Sequence, residues 1–202
     1  MGKDVYVDSK LIIDVALATV IKSGAIATTS ADKAYEAWGA AVFDEALGVI
    51  PTQALSDEFI KDRQTIFPIV ARKDFASLRP SAISGLQSRL REIEDVFLQD
   101  SKGPFIGGEK PSLADVHVIW GVRWALNDLG AGQDAAVGKE AFPKVWKLIE
   151  SLPPAKPEIL SSEDAIKTIK EGEYTAKGPS EVLKGDPLGI KAGTKVTIES
   201  FE

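Results

Sequence analysis

Cysteine is absent from this 202-residue sequence, and histidine occurs once, at position 117. The first absence removes disulfide frameworks, thiolate metal sites and cysteine nucleophiles. The second argues against a zinc enzyme, because catalytic zinc usually takes two or three imidazoles, so no metal site is expected. Runs of Lys or Arg are also missing: 24 Lys and Arg stand against 30 Asp and Glu, a formal net charge of −6. Nucleic acid and anionic membrane surfaces are therefore not expected partners. Long apolar runs are scarce as well. The stretch 11–21 is interrupted by Asp14 and is far short of the ~20 apolar residues that a membrane span requires. Lys3 is the only positive charge near the start. The N-terminus therefore does not read as a targeting signal, and a cytoplasmic location is the default expectation.

What is present is an ordinary globular composition, 44% apolar and 27% charged, in a chain long enough for one sizeable core. Val5, Tyr6 and Val7 make a very short strand-like run. Asp8 and Ser9 then offer N-caps to an apolar helix that stops near Gly24. From position 30 to 50 the apolar residues Tyr35, Trp38, Val42, Phe43, Ala46 and Val49 recur at helical steps, and Pro51 ends the run. Ser56 caps a shorter helix through Phe67, whose inner face is marked by Phe59, Ile60, Arg63, Ile66 and Phe67. Pro80 suits the first turn of a long helix to about Asp100, striped by Ile83, Leu86, Leu90, Ile93 and Phe97. On its other face Glu92, Glu94 and Asp95 read as solvated. The helix from Ser112 to about Leu129 is apolar nearly all round, the pattern of a helix at the centre of a bundle. Further helices are expected at 143–151 and 162–171, separated by a stiff linker with Pro153, Pro154 and Pro157. The tail ends in a period-two pattern at 194–199. A strand of three residues needs a partner, so 5–7 is expected to pair with 194–198. The fold class is all-α, a helical bundle over 25–152 flanked by segments 1–24 and 153–202 with short β-like ends.

Ser112-Leu113-Ala114-Asp115 is a capping box: the Ser112 hydroxyl can accept from the Asp115 amide while the Asp115 carboxylate reaches back to the Ser112 amide. The stretch from Phe105 through Gly107, Gly108, Glu109, Lys110 and Pro111 into this box resembles the entry to the core helix of the glutathione transferase C-terminal domain. Phe142-Pro143-Lys144-Val145 resembles the entry to the same family's next helix, and 7–13 is similar to the end of its thioredoxin-like domain. Lys61-Asp62-Arg63 and the tail 185–189 are similar to a fungal subgroup of transferase-like proteins. The resemblance covers roughly 5–152 and implies a helical half lacking most of the thioredoxin-like half. The family's activating Tyr, Ser or Cys and its cis-proline precede the point at which this chain begins. Ordinary glutathione activation is accordingly not expected, and the homodimer that the family builds partly on that half is in question.

Several residues are candidates for chemistry. The resemblance matches Asp8 and Ser9 to an acidic-Ser pair that holds the γ-glutamyl end of glutathione; the simpler role is a plain N-cap. His117, one turn into the central helix, is a candidate general base or a core histidine. Tyr35, Trp38, Trp120 and Trp124 line an apolar pocket in one reading and pack the core in the other. Arg63 and Arg123 sit on apolar-rich helices, where a buried guanidinium needs a carboxylate such as Asp62 or Asp115, or would hold a substrate carboxylate or enolate. Residues 103–110 miss the phosphate-loop pattern because Glu109 stands where lysine is required. The resemblance thus implies either a transferase-like enzyme or a non-catalytic domain. The enzyme would act on an apolar small molecule without glutathione, by isomerisation, cyclisation or dehydration of the kind found in secondary metabolism, with His117, Tyr35 and Arg123 moving protons or stabilising charge. The alternative is a docking domain or an inactive shortened form.

Overall fold

A computed structural model describes residues 3–6, 8–19, 28–154, 156–157, 159–174, 182 and 184–197. These residues are all-α. Seven α-helices run in order: α1 (Ser9–Thr19), α2 (Ser30–Ala46), α3 (Asp57–Arg63), α4 (Arg79–Glu92), α5 (Leu113–Arg123), α6 (Pro143–Ser151) and α7 (Ser162–Glu171). Among the described residues no helix is long and apolar enough to cross a membrane. The chain divides into two compact units, one of residues 16–154 and one of 1–15 with 155–202.

In the larger unit, local chemistry sets each helix boundary. Thr29 and Asp32 form a capping box at the start of α2, where the Asp32 carboxylate accepts from the Thr29 amide at 2.7 Å. The Ser56 hydroxyl accepts from the Phe59 amide and opens α3. α3 stops at Arg63, four residues before the expected Phe67, because Pro68 disfavours helical backbone at Phe67 and instead opens a 3-10 turn over Pro68–Ala71. α4 and α5 each loosen into a π-turn, over Ile93–Phe97 and Trp124–Asp128. Gly130, at φ 70°, ends the second of these; a left-handed glycine is the usual helix terminator because it carries no β-carbon to clash.

The core lies between α2, α4, α5 and α6. Val42, Leu86, Leu90, Ile93, Val118, Val122, Val145 and Leu148 are all buried there, and each such side chain contributes about 1.5–3 kcal/mol by leaving water. A second cluster of Leu47, Ile50, Val70 and Phe75 gathers beside it, with Phe43, Phe67, Trp124 and Leu129 against it.

Two sequence expectations change here. α3 has no buried residue: Phe59 and Arg63 are exposed, as is Ile66 in the turn that follows, and it is Phe67, beyond the helix end, that packs against the second cluster. α5 is not enclosed all round. Leu113, Ala114, Asp115, His117, Val118, Ile119, Gly121 and Val122 are buried, but Val116 and Trp120 keep 44% and 38% exposure and Arg123 is exposed. These three share one outward stripe at helical spacing.

In the smaller unit the expected β-like ends are not found among the described residues. Residues 4–6 and 194–197 carry no strand, and position 3 instead donates its amide to the Glu173 carbonyl. Val7, Ile198 and the expected helix stop at Gly24 lie outside the described residues.

Candidate functional site

α5 is the helix on which most candidate residues stand, and its entry is fixed by one buried carboxylate. Asp115, 0% exposed, accepts from the Ser112 amide at 2.8 Å, the Ser112 hydroxyl at 2.7 Å and the Ile106 amide at 2.7 Å. The third bond ties the preceding loop to the helix. That loop is a tight hairpin in which Phe105 and Gly108 exchange backbone hydrogen bonds at 3.0 Å. Ser101 closes it from below, its hydroxyl donating to the Gly103 and Phe105 carbonyls. A β-carbon on Gly103 would lie 2.6 Å from the Glu109 Cα, so glycine is required for close approach. Asp115 satisfies amides, forms no ion pair among the described residues and is not the partner of either arginine.

His117, two residues on, is 3% exposed. Its backbone carbonyl is pressed against Gly39 of α2, the helix that packs most extensively on α5. Arg123 is exposed, and exposed Arg63 pairs with neighbouring Asp62 at 2.9 Å. Neither is the buried guanidinium that its apolar surroundings in sequence suggested.

The four aromatic candidates fall into two groups. Tyr35 and Trp38 meet Phe97 edge-on, with ring centroids 5.1 and 5.2 Å apart. The Trp38 indole donates to Glu92 at 2.5 Å, and Arg89, bonded to both Glu45 and Glu92, lies over its ring at 5.8 Å. The hydrogen bond to Glu45 raises the Arg89 pKa above its already high ordinary value, against the opposing effect of burial. Glu92 thus takes part in a contact between α2 and α4 while its side chain keeps 45% exposure.

Trp120 and Trp124 instead surround Phe43. Trp120 stacks on it at 5.0 Å with planes 28° apart, Trp124 tilts against it at 5.2 Å, and Phe67 meets its edge at 5.8 Å. Trp120 is stacked on Phe43 yet remains partly exposed, and its indole N–H reaches no acceptor among the described residues. Phe43 is the residue that joins the group, and its helical spacing had marked it only as core.

Glu94 has a role that periodicity alone hid. α6 begins with Phe142 at the cap and Pro143 after it, so no local side chain accepts from its first amides. Glu94, from the π-turn after α4, supplies the missing acceptor: it takes the Lys144 amide at 3.0 Å and the Val145 amide at 2.9 Å. The signal for this was an uncapped helix start, which requires an acceptor from elsewhere.

Asp8 lies in the smaller unit with φ 78°. Its carboxylate accepts from the Lys10 amide at 3.1 Å and its carbonyl from the Ile12 amide at 3.0 Å, an N-cap for α1; Ser9 is exposed as the first helical residue.

Among the described residues no three His, Asp or Glu side chains cluster closely enough to hold a metal ion. A polar cleft of about 770 Å³ lies beside Phe97 and the 106–110 loop. Another, of about 500 Å³, is edged by Arg79, Thr52, Gln53 and Gln133. Neither is lined by His117, Tyr35 or Trp120.

No curated protein and no solved structure matches the chain. One family model does match, over residues 45–157, which takes in α3 to α6 with the whole capped entry of α5; the chain belongs to that family, a domain of unknown function designated DUF7962.

Proposed function

We propose that this protein is a non-catalytic binding module for a flat apolar small molecule, received on the aromatic wall of Trp120, Phe43 and Trp124. The observation that carries the reading is the half-exposed indole of Trp120 stacked on Phe43. A ring already held by stacking loses little freedom when a second flat molecule covers its exposed part, and offset stacking adds about 0.5–1.5 kcal/mol to the burial of apolar area. Val116, one turn earlier on the same stripe, extends the apolar surface.

The sequence resemblance to the helical half of glutathione transferases supports the same class of ligand, since that half contributes the pocket for apolar substrates. The enzymatic alternative draws less support from the geometry. It asks His117, Tyr35 and Arg123 to act on one molecule, whereas His117 is enclosed, Tyr35 packs on Phe97 and Arg123 faces solvent.

Titration with neutral 1-naphthol, followed by tryptophan emission, tests the reading. The wild-type chain should show a saturable change that weakens by about tenfold or more in Trp120→Leu, as loss of one stacked ring implies. Absence of any saturable change would refute it. Retention on glutathione-agarose would redirect the assignment toward a glutathione-dependent enzyme.

A further inference from the structure

The second cleft holds a cation that forms no ion pair among the described residues. Arg79, the first residue of α4, is half-buried, and its Nη1 donates to the Val49 carbonyl at 2.8 Å. That bond tethers one nitrogen of the guanidinium to the backbone at the cleft edge. A guanidinium presents several N–H donors in a rigid fork, and the rest find no protein acceptor among the described residues. No ion pair involving Arg79 is formed there either, although the chain carries an excess of acid. Asp74, the nearest acidic residue along the chain, is clamped by Arg72 through two hydrogen bonds of 2.9 and 2.7 Å.

The surroundings are selective. Arg79 edges a concave cleft of about 500 Å³ together with Thr52, Gln53 and Gln133, which supply neutral hydrogen-bonding groups, and Ile50, Phe75 and Leu129, which supply apolar wall. Among the described residues no acidic side chain lines it. Ile50 and Phe75 are themselves buried members of the second cluster, so that wall is firm. A single tethered guanidinium matches one planar carboxylate in bidentate fashion. A phosphate dianion would ask for a second cation, and the cleft offers none.

We propose that this cleft binds the carboxylate of a small aliphatic organic acid, with Arg79 gripping the anion and Gln53 and Gln133 flanking it. The site is separate from the aromatic wall of Trp120, and the inference does not depend on that assignment.

The test is a titration of the full chain with hexanoate, its neutral isostere hexanamide, and inorganic phosphate, read by backbone and side-chain amide NMR shifts at Gln53, Gly130 and Gln133. Hexanoate should give saturable shifts at these positions and hexanamide none. Binding should fall by about tenfold or more in Arg79→Gln, in line with the loss of a charge-assisted hydrogen-bond pair. Because Arg79 also holds the Val49 carbonyl, Arg79→Lys and Gln133→Leu are run beside it; each should retain the fold, shown by unchanged shifts in α5, yet weaken hexanoate. Equal binding of hexanamide would overturn the proposal by showing a merely apolar cleft. Phosphate binding without hexanoate binding, no binding by either anion, or hexanoate binding indifferent to all three substitutions would overturn it as well.

Discussion

Gly39 of α2 lies so close to the backbone of His117 in α5 that a β-carbon at position 39 would sit 3.1 Å from the His117 carbonyl carbon and nearer still to its oxygen. The two helices therefore meet backbone to backbone at this point. One turn further along both helices, a β-carbon on Gly121 would meet Phe43 at an ordinary 3.5–3.6 Å.

The two glycines should consequently respond in opposite ways to alanine. Gly39→Ala forces the helices apart and is expected to cost about 3 kcal/mol, the upper range for overpacking a tight interior contact. Gly121→Ala fits its space and is expected to be neutral or to gain up to about 1 kcal/mol from the better helix propensity of alanine. Thermal or urea denaturation of the two variants checks both signs.

Removing the buried carboxylate of Asp115 should be among the most damaging single changes. Asp115→Ala strips the acceptor from the Ile106 and Ser112 amides and from the Ser112 hydroxyl. With about 1–3 kcal/mol for each buried group left unpaired, a loss of about 4 kcal/mol is expected. Faster amide exchange should appear first at Ile106 and Ser112, before the rest of α5 opens.

Glu94→Ala should free the start of α6 while leaving α4 intact. The expected cost is about 1–2 kcal/mol, that of a lost cap together with a favourable charge at a helix N-terminus. Hydrogen exchange at Lys144 and Val145 reports it directly. Pro143→Ser, which alters the same turn without touching the carboxylate, should leave the Val145 amide protected.

Much of the helical plan was legible because its signals are local. Pro143 opens α6 and the Ser112–Asp115 box opens α5, where the sequence placed them; Ser56 opens α3 likewise, and α7 covers the expected 162–171. Amphipathic spacing identified the buried stripe of α4 at Ile83, Leu86, Leu90 and Ile93. α5 was harder. Where nearly every residue is apolar, the pattern has no phase, so nothing in it marks Val116, Trp120 and Arg123 as the outward stripe. The role of Glu94 was hidden for a related reason: a carboxylate on a polar helix face looks the same whether it meets water or the amides of a helix fifty residues later.

The sequence alone determined where several helices begin, since a capping side chain or a proline acts within one turn of the chain. It also excluded thiol chemistry, by the absence of cysteine. Only the tertiary structure decided which side of α5 remains open, which glycine must be glycine, and that Arg79 forms no ion pair among the described residues. Those facts depend on distances between helices, and such distances are set by the joint packing of all the side chains rather than by any short stretch of them.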